Sequence, residues 1–356
     1  MLTYILLFII LIILKYICKE NKKLFCIFSG IILWSLLALR SINIGLNDTS
    51  ELYKPFFENI NNMNIKEIIE YKWMSDKMFY ILMKIISLFT KNFQIVLAIL
   101  AIPYVFFTVY IIEKKSKNPL LSVILYISMY YMYATFLLRQ VFAIGIILFS
   151  IQYIEKNNFI KFALTVFIAS LFHKTALIFL IAYPFSLKNK YGLKNYVYIF
   201  SSLFIGISLK KIILYILPII DFTGRVKIGF LYNSYSVDNK VSMFGLFILI
   251  IILLISNYYY KSMKKQSNEN IDILFNISTL GAVFFALSTV LAEFYRVSLY
   301  FSIVNILLLP MAINEEKNEK KKKIIEIVII ILLILYFLFR TINNVNANPY
   351  MFFWED

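Results

Sequence analysis

The chain of 356 residues carries one histidine, His173, and five arginines, Arg40, Arg139, Arg225, Arg296 and Arg340. Two of these groups interrupt a long greasy stretch. Arg139-Gln140 and His173-Lys174 both fall within Tyr133–Pro184, where three apolar runs follow one another. An ionisable side chain at membrane depth is costly unless it faces a wet cavity or a partner, so its default reading is functional. A guanidinium is always charged, and its planar fork matches the oxygens of phosphate or carboxylate. An imidazole is the side chain best suited to take a proton from a hydroxyl at neutral pH. Arg139 and His173 are expected on one side of a membrane, at the mouth of one cavity.

Each candidate also has a plainer reading. Arg139 either clamps an anion or snorkels to the interface from a helix end. His173 is either a general base or a hairpin residue bonded to backbone carbonyls. Glu293 and Arg296 are three residues apart, so they share a helix face and can simply pair. In the functional version Arg296 faces the cavity, with Tyr300 one turn further on. Asp48 follows Gly45 and Asn47 in a turn, where an Asx turn competes with a role as base or ligand. The full candidate cluster is Arg40, Asp48, Tyr53, Arg139, Gln140, His173, Arg225, Glu293, Tyr295, Arg296 and Tyr300. One histidine and two cysteines (Cys18 and Cys26) provide no zinc set of the usual kind. A divalent-cation site on Asp48, Asp76 and Glu293 would need carboxylates far apart in sequence. There is no glycine-rich phosphate loop and no nucleophile elbow, so no metal and no cofactor are expected.

The elements that must position these residues are transmembrane. The chain is 61% hydrophobic and 16% charged, with a mean hydropathy of +0.78, against about 25% charged for a soluble domain. Apolar runs recur throughout, which predicts an all-α, polytopic helical bundle in a single domain, residues 1–356. Leu2–Ile17 reads as a retained helix, not a signal peptide. The net charge of +16 does not point to nucleic acid, because lysines sit in short clusters between apolar runs, the positive-inside pattern. Following those clusters gives about twelve crossings with both termini outside. Met78–Thr90 is too short to cross and is expected as a re-entrant or interfacial half-helix. Outer loops fall at about residues 40–78 and 218–240. The inner loops then hold lysines only, while all five arginines fall at outer ends or in outer loops. The five guanidiniums are expected to converge on one extracytoplasmic hollow.

Several segments resemble the EpsG family, a branch of the Wzy-type bacterial polysaccharide polymerases. They are RSINIGLNDTSELY from Arg40 to Tyr53, RQVFA from Arg139, FHKTAL from Phe172, FYRVSLYF from Phe294, and Asn348-Pro349-Tyr350. Gly45 is followed by Leu46-Asn47-Asp48 where the family pattern has a tighter Gly-x-Asp. The resemblance implies joining of oligosaccharide repeat units carried on undecaprenyl diphosphate, at the outer face of the bacterial cytoplasmic membrane. The product would be a capsule, exopolysaccharide or O-antigen. It implies roles as well. Arg139 and Arg296, with Arg225, would neutralise the leaving diphosphate, and His173 or Asp48 would accept the hydroxyl proton. Arg40, Tyr53, Gln140, Glu293, Tyr295 and Tyr300 would line the substrate. Partners would be the lipid-linked oligosaccharide, the bilayer, and a flippase and chain-length regulator. The competing class is a transporter, flippase or ligase acting on the same glycan. A transporter of this kind is expected to carry internal repeats, and none is visible.

Overall fold

In a computed structural model of the chain, the structure describes residues 1–19, 21–44, 48–70, 76–220, 243–266, 271–342, 344 and 349–355. Arg225, most of the 218–240 loop and Asn348 lie outside the described residues, as does the side chain of Asp48. The chain divides into two compact units, Met1–Leu177 with Ile313–Asp356, and Ile178–Ala312.

The first unit begins with α1 (Leu2–Cys18) and α2 (Lys22–Ala38). A π-helical turn, Asp48–Tyr53, leads into α3 (Lys54–Asn59) and α4 (Ile65–Glu70). Then come α5 (Lys77–Ser87), α6 (Phe93–Lys115), α7 (Pro119–Met129), α8 (Leu138–Glu155) and α9 (Phe159–Phe172). The second unit holds α10 (Ala182–Lys188), α11 (Leu193–Ile220), α12 (Met243–Gln266), α13 (Ile271–Leu287) and α14 (Glu293–Ser302). After α15 (Asn305–Asn314), α16 (Glu319–Ile342) returns the chain to the first unit.

The architecture is all-helical among the described residues. Among the described residues, four helices are long and apolar enough to cross a membrane: α6, α8, the Met243–Lys265 part of α12, and α16. The pair α14 and α15, bent by 45°, makes a fifth if it counts as one span. The helices α1, α7, α9 and α13 are apolar but shorter.

Two of the long apolar runs are broken. The run Pro119–Leu138 is not one helix: α7 stops at Met129 and a 3₁₀ stretch, Tyr131–Thr135, follows. Side chains there take carbonyls that a continuing helix would use. Tyr104 donates its hydroxyl to the Tyr130 carbonyl at 2.9 Å, and Thr135 donates to Met132 at 2.8 Å. Thr175–Leu187 is likewise divided into a 3₁₀ run, Lys174–Ile181, and α10. Pro184 lies in the first turn of α10, where a residue without an N–H is tolerated. The half-helix expected over Met78–Thr90 is α5, whose 11 residues reach only about 16 Å.

Within the first unit α6 is the axis, packed against α2 on one side and α8 on the other. Its N-terminal end is tied to the end of α2 by Gln94, whose Nε2 donates to the Arg40 carbonyl at 2.9 Å. Its far end is tied to α8 by the Lys115–Glu155 ion pair. Thus α6 and α8 run antiparallel, with Leu138 beside Leu97 and Leu100. Gly145 lets the two backbones touch, because a Cβ there would lie 2.7 Å from the Pro103 carbonyl oxygen. Small residues at helix crossings are how membrane helices approach closely without a hydrophobic driving force. In the second unit Gly281 of α13 does the same against Ser302 of α14. Buried amides glue α13 to its neighbours: Asn195 donates to Asn276 at 2.8 Å and to Thr279 at 2.9 Å.

The C-terminal tail clips onto the end of α2. Ser41 donates its N–H to Met351 at 2.8 Å, Phe353 to Leu39 at 2.9 Å, and the Tyr350 hydroxyl to Leu36 at 2.6 Å.

Gly145→Val is expected to lower stability by about 1–3 kcal/mol through overpacking, read as a fall in the thermal midpoint of the detergent-solubilised protein. Gly192→Ala, where a Cβ meets nothing within 4 Å, is the control and should leave the midpoint within a degree or two.

Candidate active site

The site residues of the first unit are carried by an aromatic and aliphatic core. Tyr53, Phe56, Phe79, Tyr80, Leu138 and Phe142 are members of one buried cluster, with Phe172 packed against it. The Phe142 and Phe172 rings lie 4.4 Å apart, centroid to centroid. Phe142 stands three residues after Arg139 on α8, and Phe172 immediately precedes His173. Packing of these two rings therefore brings the arginine and the histidine together, although 34 residues separate them in sequence.

His173 closes α9 in an extended conformation (φ −156°, ψ 111°), which turns its side chain out of the helical register. Its Nδ1 lies 2.9 Å from Oδ2 of Asp76. The same oxygen accepts Arg139 Nη1 at 2.8 Å, and Oδ1 accepts the Lys174 backbone N–H at 3.0 Å. Tyr53 accepts Arg139 Nε at 3.0 Å through its hydroxyl. The Tyr53 and Tyr80 rings each lie 5.9 Å from the guanidinium carbon, within the range of a cation–π attraction. The side chain of Asp76 is 1% exposed, while those of Arg139 and His173 are 23% and 22% exposed. The carboxylate is thus the sealed base of the cluster, and the two larger groups open outward from it.

Burial alone would raise the Asp76 carboxyl. The hydrogen bonds from His173 and Lys174, with the charges of His173 and Arg139, outweigh it and hold the group below the ordinary carboxylate range. An ionised carboxylate only accepts hydrogen bonds, so Nδ1 of His173 must carry a proton. A neutral ring then keeps its lone pair on Nε2. Among the described residues, neither that Nε2 nor Nη2 of Arg139 has a protein hydrogen-bond partner. One free base atom and one free cationic donor therefore share a single anchor.

Asp76 precedes α5 at the position where an aspartate ordinarily caps the helix, yet its side chain makes no capping bond. Its oxygens are committed to the site instead. From sequence it was one of several acids in the 40–78 loop. Its only local signal was an acid at a helix N-cap, since its partners Arg139 and His173 lie far away in sequence.

The other expected residues are held as follows. Arg40 is 1% exposed and donates through Nη1 to the carbonyls of Ile44 at 2.7 Å and Ser41 at 3.3 Å. Burial without a nearby carboxylate pushes its guanidinium down to about 10, so it stays charged at neutral pH. In this structure Arg40 is committed to holding the turn after α2, and it is sealed from solvent. Gln140 is buried beside Arg139 on α8. Asp48 opens the π-helical turn that ends at Tyr53. Arg340 rests against the rings of Tyr133 and Tyr336 at 5.5 and 5.7 Å. In the second unit Arg296 Nη1 and Glu293 pair across one turn at 3.2 Å, Tyr295 lies between them in sequence, and Tyr300 is fully buried. Arg225 lies outside the described residues. The first unit therefore unites Tyr53, Arg139 and His173 around Asp76.

The model of the EpsG family matches residues 23–352, nearly the whole chain. No curated protein and no solved structure matches it.

Asp76→Asn should destabilise the protein by about 1–3 kcal/mol, since it leaves donors without their charged acceptor. The sign with pH follows from a carboxyl held low in the native state: its contribution is present above its unfolded value and is lost as pH falls through the native one. Thermal midpoints of wild type and Asp76→Asn should differ in full above the ordinary 3.8 and converge as pH is lowered below it.

Proposed function

We propose that this chain, which belongs to the EpsG family of Wzy-type polysaccharide polymerases, joins oligosaccharide repeat units carried on undecaprenyl diphosphate. In this reading it is one integral membrane domain of about twelve passes in the bacterial cytoplasmic membrane, with both termini and the reaction on the outer face. A flippase supplies the lipid-linked units and a chain-length regulator works beside it. The product is a capsule, exopolysaccharide or O-antigen. The observation that carries the reading is the Asp76 carboxylate shared by His173 and Arg139, with an open atom on each of the two larger side chains.

A hydroxyl at the non-reducing end of an incoming unit attacks the anomeric carbon of the growing chain. Nε2 of His173 takes the hydroxyl proton as the new carbon–oxygen bond forms. The bond between the anomeric carbon and the lipid diphosphate breaks, and the electron pair leaves with the diphosphate. Charge builds on that leaving group, and the free edge of Arg139 is placed to meet it. Asp76 keeps the proton on Nδ1 and stabilises the imidazolium as it forms, the role a buried carboxylate plays behind a histidine base. Tyr53 holds Nε of Arg139 and Asp76 holds Nη1, which leaves Nη2 for the substrate. In this proposal Arg225, Glu293, Tyr295 and Arg296 keep their expected role as substrate contacts, and Asp48 its expected role as the alternative base.

Support also comes from the spread of charge. Along α6, Gln94 lies at the end near Arg40 and Leu138, and Glu113 at the end near the lysines. Nineteen residues at 1.5 Å each separate them by about 28 Å, close to the hydrocarbon thickness of a bilayer. Arg139 and the Lys114–Lys117 cluster thus belong to opposite ends of a membrane-length helix. By the positive-inside rule, this spread of charge supports a site at the outer leaflet.

Purified protein given lipid-linked repeat units alone is expected to make a ladder of polymer on a gel. His173→Ala should slow turnover by about 10²–10⁴, the usual worth of a general base. Asp76→Asn should fall in kcat with little change in KM, and Arg139→Ala should lose more than Arg139→Lys. Full polymerisation by Arg139→Ala, or a requirement for a nucleotide sugar, would remove the assignment. Export of single capped units by cells lacking the gene distinguishes a missing polymerase from a missing flippase.

A further inference from the structure

A groove of about 410 Å³ runs along the outer side of α2 and α6, away from the Asp76 cluster. Both its ends are pinned. Trp34 donates its indole N–H to the Ala98 carbonyl at 2.8 Å, and Lys22 donates to the Ser116 carbonyl at 2.7 Å. Lys22 and Trp34 are twelve residues apart, about 18 Å of helix. The walls are apolar, and Ile27, Ile31, Ile102 and Phe106 are each between 46% and 57% exposed. Gly30 forms part of the floor and adds no side chain to fill it.

The chemistry changes at one end only. Lys23 and Glu113 stand at the mouth near Lys22. Glu113 is paired with Lys114 at 3.0 Å. Lys23 is exposed and makes no ion pair or hydrogen bond among the described residues. A long apolar trough that ends at an uncommitted cation matches a molecule with a hydrocarbon chain and an anionic head. A water-filled groove would leave those walls wet in a hydrocarbon medium, and a neutral lipid would leave Lys23 without its counter-charge.

We propose that the groove between α2 and α6 binds one anionic phospholipid, with an acyl chain along Ile27, Ile31 and Phe106 and the phosphate against Lys23. The site lies at the lysine-bearing end of α6, about 28 Å along the helix from the end near Arg139. It therefore takes a bilayer lipid of the opposite leaflet and is distinct from the substrate site. Each basic residue near an anionic headgroup contributes about 1 kcal/mol, which is roughly a fivefold effect on affinity.

The test is native mass spectrometry of the full chain, purified and then exchanged into vesicles of either phosphatidylglycerol or phosphatidylcholine. Wild type is expected to retain one phosphatidylglycerol and to release phosphatidylcholine. Lys23→Gln should lower phosphatidylglycerol retention about fivefold. Gly30→Leu, whose Cβ would meet only Val109 at an ordinary 3.5 Å, should abolish it by filling the trough. Lys161→Gln, an exposed lysine on α9, should change nothing. Lys23→Gln is a surface change and keeps the test valid if Gly30→Leu fails to fold. Equal retention of both lipids, unchanged retention in Lys23→Gln, an equal loss in Lys161→Gln, or a bound protein in place of lipid would each overturn the proposal.

Discussion

A single buried carboxylate organises the first unit of this protein. Asp76 accepts hydrogen bonds from Arg139, His173 and the Lys174 amide, which come from the start of α8 and the end of α9. A carboxylate at 1% exposure is tolerable only when its charge and lone pairs are met, because desolvation of an unpaired ion costs several kcal/mol. The folded state is therefore constrained to bring two helix ends and the residue before α5 to one point. The aromatic cluster beneath them supplies the apolar burial, and the carboxylate supplies the register.

The same arrangement sets a competition inside the site. Oδ2 of Asp76 is shared by a permanent cation and an imidazole. An anion arriving at Arg139 draws on the same guanidinium that neutralises Asp76. As the arginine's charge turns toward the anion, more of the carboxylate's charge is left to His173. Tyr53 and Tyr80 make this workable, since they hold the guanidinium through its Nε and its faces and leave an edge of the fork open.

How much of this was legible beforehand follows from what sequence encodes locally. The apolar runs marked the helices well: α9 is bounded as Phe159–Phe172, and α1 as Leu2–Cys18 against an expected Leu2–Ile17. The reading failed where side chains reach back to the backbone, as at Tyr130–Thr135, because hydropathy is blind to a carbonyl taken by Tyr104 from another helix. Arg139 and His173 were readable as rare polar groups against an apolar ground, and Tyr53 only as the end of a segment that resembles the EpsG family. Asp76 was not, since it sat among other loop acids and its partners lie 63 and 97 residues away. Arg40 looked equally rare, but nothing in its neighbours' identities revealed that it would be sealed against Ser41 and Ile44.

That contrast changes what the arginine–lysine partition means. All three arginines of the first unit are largely withdrawn from water, each by a different means: Arg40 on backbone carbonyls, Arg139 on a carboxylate and two rings, Arg340 on two tyrosines. A guanidinium tolerates this because it is weakly hydrated, spreads its charge and stacks on aromatic faces, whereas an ammonium is a strongly hydrated point charge. The lysines at the other end keep to exposed or paired positions, such as Lys23, and Lys114 with Glu113. Arginine in the first unit is therefore first a solution to burying positive charge. Of the three, Arg139 combines a charged anchor, partial exposure and an unused donor edge, and so the proposed anion recognition rests on that combination of surroundings and not on the residue type alone.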